Sequence, residues 1–161
     1  MERLALFYAG RYATTRAKLR SYLARKVRER GWTGDGQPPI ETMVDRFSEL
    51  GYVDDRAFAS ARGAALQRRG YGERRLDQAL HAAGIEAEDA AEAREQARSG
   101  AWESALRFAE RRRIGPYAAE APDREARQKA FAAMIRAGHP MELVRKLLDC
   151  RAGEVPNPDE Q

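Results

Sequence analysis

The feature that most constrains this chain is a helical segment that occurs three times, with apolar residues every four positions and a glycine at its end. The first copy runs Lys18-Leu19, Tyr22-Leu23, Val27 and closes at Gly31-Trp32. The second runs Arg75-Leu76, Ala79-Leu80, Ala83 and closes at Gly84-Ile85. The third runs Lys129-Ala130, Ala133-Met134, Ala137 and closes at Gly138-His139. Four-residue spacing draws one apolar stripe down a helix, and glycine just past the last turn is a common stop. Successive copies are offset by 57 and 54 residues, room for two or three helices per repeat.

A helix precedes each copy and another follows it. Leu4, Phe7, Tyr8 and Tyr12 stripe the first leading helix. Asp54 or Asp55 can cap the second, striped by Phe58, Ala61 and Ala65. Trp102, Leu106 and Ala109 stripe the third. Of the trailing helices, Pro39 opens one striped by Met43, Val44, Phe47 and Leu50. Residues 87–97 form an Ala/Glu-rich one, and Pro140 opens one striped by Leu143, Val144, Leu147 and Leu148. The expectation is an all-α protein: an elongated, curved array of three tandem three-helix repeats at 3–50, 54–97 and 99–149. Loops are expected at 33–38 and 115–122. The segment 152–161, with two prolines and three acids, reads as a disordered acidic tail. Leu19, Leu23, Leu76 and Leu80 are the expected core anchors. Thirty alanines against thirteen Val, Ile and Thr agree with helix and speak against a sheet.

Charged residues make up 34% of the chain, a fraction that suits slender repeats with much surface and little core. The charge is uneven. Residues 1–32 hold nine Lys/Arg against two acids, and residues 33–60 hold two against six. With Leu19 facing the core, Lys18, Arg25 and Arg28 fall on the far side of their helix as a basic ridge. The position before the first apolar residue is basic in every copy: Lys18, Arg75 and Lys129. Arg68-Arg69, Arg74-Arg75 and Arg111-Arg112-Arg113 add clusters. Arginine greatly outnumbers lysine, which suits forked recognition of phosphate or carboxylate. Each cluster alone could be a solvated helix face. Recurrence at one repeat position points to a shared binding face, for a nucleic-acid backbone or an acidic protein groove.

Catalytic signatures are missing. There is no phosphate-binding loop and no dinucleotide fingerprint. Gly70-Tyr71-Gly72 reads as a turn. His81 and His139 stand apart, and Cys150 has no neighbouring His or second Cys for a metal. The reading is a binding module, not an enzyme, with no cofactor and no metal. One cysteine and no apolar run of membrane-spanning length lead to the expectation of a cytoplasmic monomer.

The run Leu50-Gly51-Tyr52-Val53-Asp54-Asp55-Arg56-Ala57-Phe58-Ala59 resembles the most recognisable motif of the bacterial RecX regulatory proteins. So does Arg68-Arg69-Gly70-Tyr71-Gly72, leading into Arg75-Leu76 and Leu80. Arg111-Arg112-Arg113-Ile114-Gly115-Pro116, Lys129 and Arg136-Ala137-Gly138-His139 look like the family's C-terminal part. The resemblance implies curved tandem three-helix repeats that bind in the groove of the RecA–single-stranded-DNA filament. It implies a negative regulator that lowers ATP hydrolysis, blocks strand exchange and LexA cleavage, and promotes filament disassembly. The resemblance carries no catalytic residue. The residues by themselves leave two other readings open: a direct DNA-binding protein with helix-turn-helix-like units, and a helical scaffold with no nucleic-acid partner. The candidate contacts with RecA or DNA are Lys18, Arg25, Arg28, Arg68, Arg69, Arg75, Arg111, Arg112, Arg113 and Lys129.

Overall fold

The computed structural model describes residues 1–155. Among them are nine α-helices, one short 3-10 turn and no strand, so the all-α expectation holds. The helices are α1 (Glu2–Arg11), α2 (Arg16–Arg30), α3 (Ile40–Glu49), α4 (Asp55–Arg68), α5 (Glu73–Ala82), α6 (Ala87–Ser99), α7 (Ala101–Arg112), α8 (Arg124–Arg136) and α9 (Met141–Asp149). The 3-10 turn, Gly115–Tyr117, lies within the expected loop after α7. Ala152 and Gly153 form a turn in which the Gly153 N–H donates to Pro116 O at 2.8 Å. From residue 156 on, the expected disordered tail lies outside the described residues.

Local chemistry sets the helix ends. The side chains of Thr15, Asp54 and Asp123 accept from the N–H three residues ahead, at 3.2, 2.8 and 2.7 Å, capping the starts of α2, α4 and α8. Pro39 and Pro140 stand at the N-cap, one position ahead of the expected first turn. At the other end, α3, α4, α5, α7 and α8 close alike. One N–H donates three residues back and the next donates five residues back, as in Ile85 to Leu80 O at 3.0 Å and His139 to Met134 O at 3.2 Å. That closure needs a left-handed residue. Glycine supplies it four times, at 51, 70, 84 and 138; at α7 it is Arg113, with φ 54°.

Contacts divide the chain into two units, Met1–Ala61 with Leu80–Ala91, and Arg62–Ala79 with Glu92–Gln161. The core of the first is Ala5, Leu19, Leu23, Val44, Phe47 and Val53, flanked by Leu4, Tyr8 and Tyr22. The core of the second is Ala105, Phe108, Ala109, Ile114, Met134, Ala137, Val144, Leu147 and Leu148. The four expected leucine anchors are all buried. Some expected stripe residues are not. Phe7, Tyr12 and Leu50 are more than half exposed, because α1 turns Ala5 inward and the chain leaves α3 before Leu50 reaches the core. On α7 the buried positions include Ala105 and Phe108, one turn apart and next to the stripe read from Trp102 and Leu106.

Candidate functional site

The two units each contain one corner where a helix start docks on a helix end, and the two corners are built alike. In the first unit, the Thr15 hydroxyl donates to Ala83 O at 2.6 Å while capping α2. Gly84 lies so close to Ala17 that a Cβ there would collide with it. In the second unit, the Gly72 N–H donates to Ala137 O at 2.9 Å, and Gly138 lies against Gly72 and Arg75 at the start of α5. Thr15 and Gly72 are 57 residues apart, and Ala83 and Ala137 are 54 apart, the same offsets that relate the repeated helices.

The first corner carries a second clasp. Asp54 caps α4, and the buried Asp55 accepts from the Arg16 N–H at 2.9 Å, so α4 supplies the acceptor for a free N–H in the first turn of α2. Burial pushes the Asp55 carboxyl above its usual range, with the Arg16 hydrogen bond opposing.

A cationic groove lies over each corner. The first is about 520 Å³ and is lined by Lys18, Arg25 and Arg28 together with Tyr8, Tyr22 and His81. Three candidates thus converge on one concave surface, not on a free ridge. The Tyr8 and Tyr22 rings stack at 4.2 Å and 11°. Arg25 lies 5.7 Å from the Tyr22 ring centre, and the Lys18 ammonium sits 4.9 Å over Phe58. Glu29 offsets part of this charge. It reaches Arg25 at 3.7 Å and Lys26 at 2.7 Å, and the Lys26 hydrogen bond holds its carboxyl below the usual range.

The second groove is smaller, about 230 Å³, lined by Arg62, Leu66, Arg69, Tyr71, Arg75 and Gln78. Its centre is Tyr71. The guanidinium carbons of Arg69, Arg75 and Arg111 lie 5.1, 5.8 and 6.0 Å from that ring, within cation–π range. Arg112 lies 5.8 Å from Phe108. Lys18 and Arg75, the equivalent basic residues of the first two copies, line one groove each.

The flanking glycines explain why Tyr71 stands there. A Cβ on Gly70 would press on the α7 backbone at Phe108 N and Ser104 O, and one on Gly72 would collide with Gly138 O. The buried His139 ring reinforces the corner, with Nε2–H donating to Gly70 O at 3.0 Å. Burial lowers the His139 pKa, the Gly70 hydrogen bond opposing, so the ring is neutral.

The remaining candidates lie apart from these grooves. Arg68 is exposed at the end of α4, and Arg113 is the left-handed residue after α7. Lys129 is exposed on α8 and paired with Glu125 at 2.6 Å. Among the described residues, Arg28, Arg62, Arg68, Arg69, Arg75, Arg111, Arg112 and Arg113 make no ion pair. Reading by charge alone passed over the aromatic members Tyr8, Tyr22 and Tyr71, and also Arg62 and His81. The alternation of arginines with Tyr71 between two glycines was the signal that could have found the second groove. No group of three or more His, Cys, Asp or Glu that could hold a metal occurs among the described residues. No helix there is long and apolar enough to cross a membrane.

No protein-family model matches the chain. It is 29% identical over 157 residues to the regulatory protein RecX of Myxococcus xanthus (strain DK1622), covering 92% of this chain and 84% of that one. It is 28% identical over 148 residues to the regulatory protein RecX of Agrobacterium fabrum, covering 89% and 79%. Its fold is similar to the crystal structure of RecX from Lactobacillus salivarius, with a TM-score of 0.64 at 17% identity over 92% of this chain and 94% of that one. A second crystal structure of a regulatory protein RecX gives 0.64 at 19% identity, over 92% and 70%. Sequence along most of the chain and fold along the same span therefore agree: this chain is similar to the RecX regulatory proteins.

Proposed function

We propose that this protein is a negative regulator of the RecA recombinase. It binds in the groove of the RecA–single-stranded-DNA filament, lowers ATP hydrolysis, blocks strand exchange and LexA cleavage, and favours filament disassembly. Its helices act as three tandem three-helix repeats, 3–50, 54–97 and 99–149, and it works as a cytoplasmic monomer without catalysis.

The observation that carries this reading is the pair of cationic, aromatic-lined grooves built on equivalent corners. A polymer presents the same acidic or phosphate surface at every protomer. A ligand with repeated basic grooves engages it at several points, and each engaged point raises the effective concentration of the next. The relatives named RecX support a regulatory role of this kind.

A titration of the purified protein into a RecA ATPase assay on single-stranded DNA tests it. Wild type inhibits, and the combined Lys18→Ala, Arg25→Ala, Arg75→Ala variant needs about tenfold more protein for the same inhibition, with helicity unchanged. Unchanged inhibition by the variant rejects the grooves as contacts, and no inhibition by wild type rejects RecA as the target.

The stacked Tyr8–Tyr22 pair beside three cations favours a second reading, direct contact with single-stranded DNA, since bases stack on aromatic rings next to cations. Direct binding through about five phosphates predicts a log–log salt slope near −3.5 without RecA.

A further inference from the structure

In the first unit, α2 and α3 run antiparallel and are bridged on their outer surface by two successive ion-pair rungs. Arg16 meets Asp45 at 2.7 Å, and one turn along, Arg20 holds Glu41 with both of its forks, at 2.6 and 2.7 Å. In the second unit, α8 and α9 repeat the first rung: the Arg127 guanidinium bonds the Asp149 carboxylate and donates to Leu148 O at 2.6 Å. The next rung, four residues along each helix, holds Phe131 and Arg145 where the first unit has Arg20 and Glu41. No carboxylate closes it. A groove of about 330 Å³ is open there, lined by Arg124, Arg127, Gln128, Phe131, Arg145 and Leu148.

We propose that this α8–α9 groove is a docking site for an acidic peptide segment of a partner protein, one that carries an apolar side chain between carboxylates. Arg124 and Arg145 are exposed and form no ion pair among the described residues, so both forks are free for carboxylates. Arg127 is already held by Leu148 and Asp149 and forms a fixed wall, which lowers the ordering cost of binding. Phe131 and Leu148 form an apolar floor between the arginines. A phosphodiester backbone would satisfy the arginines but brings no aliphatic group for that floor, whereas a leucine flanked by acids fits both. None of these residues lines the two grooves assigned to the filament, so the proposal stands apart from that reading.

Fluorescence anisotropy with the full chain tests it, using a labelled Asp-Glu-Glu-Leu-Asp-Glu peptide, the same peptide with serine for leucine, and an oligothymidylate of equal charge. The leucine peptide binds wild type, and the serine peptide binds about fivefold more weakly. Arg124→Glu and Arg145→Glu each weaken binding about tenfold, and both sites are exposed enough for the variants to fold. Arg136→Glu, at an exposed arginine of α8 outside the groove, stays within about twofold of wild type. An equal loss at Arg136 would mean diffuse charge attraction and overturn the proposal. So would a loss of oligothymidylate binding in Arg124→Glu and Arg145→Glu as large as the loss of leucine-peptide binding, equal binding of the two peptides, or no peptide binding.

Discussion

His139 is fully buried, with one ring nitrogen bonded to Gly70 O and the other, Nδ1, without a partner. Burial holds its folded pKa below the ordinary histidine value of about 6.5. The unfolded chain therefore takes up the proton first as pH falls. Stability from the neutral ring is complete above about pH 6.5 and is lost as the pH drops through that value toward the lower folded pKa. Urea unfolding at pH 7.5 and pH 5.5 reads this directly. Wild type loses stability at the lower pH. His139→Phe starts lower by about 1–3 kcal/mol, through loss of the Gly70 bond, and shows a smaller pH dependence. Arg113 is a second residue with a separable effect. It takes the left-handed conformation that glycine takes at four other helix ends, at a strain of about 1–2 kcal/mol for a side-chain-bearing residue. Arg113→Gly relieves that strain, while the freer unfolded chain returns part of it, so thermal unfolding shifts upward by the equivalent of up to about 1 kcal/mol.

At the scale of elements, the corners hold the grooves in shape. The Thr15–Ala83 bond seats α2 under the first groove, and the Gly72–Ala137 bond seats α5 under the second. Thr15→Val keeps the shape of the side chain but removes both the cap of α2 and the donor to Ala83 O. Denaturant unfolding is expected to show a loss of about 1–3 kcal/mol. Gly72→Ala forces a methyl group onto the Gly138 carbonyl, where backbone must move, and the expected loss is at least as large. The element pattern was readable in part from the chain. The glycine stops and the buried Leu19, Leu23, Leu76 and Leu80 follow from four-residue spacing, because a stripe on a helix has one buried side. The inward turn of Ala5, leaving Phe7 and Tyr12 exposed, does not, because an aromatic residue near a helix end meets either core or water depending on what lies beside it.

At the scale of the molecule, the proposed regulation through two grooves is separable by mutation from regulation through one. Lys18→Ala with Arg25→Ala weakens the first groove, and Arg69→Ala, Arg75→Ala with Arg111→Ala weakens the second. If each set raises the concentration for half-inhibition of the RecA ATPase about fivefold, free energies from separate sites add, and the combined variant shows about a twenty-five-fold rise. A combined loss no greater than the larger single loss would leave one groove as the working contact.

The sequence by itself determined the helical class, the repeat offsets, the glycine stops and the basic residues that recur at Lys18 and Arg75. These depend on local rules: helix periodicity, the conformational freedom of glycine, and the side chain's own charge. Only the tertiary structure decided that Lys18, Arg25 and Arg28 face a tyrosine pair in one concavity, and that Arg69, Arg75 and Arg111 gather round Tyr71. Such choices rest on which surfaces meet across dozens of residues of chain. A helical pattern states which residues share a face but not what that face will find opposite it.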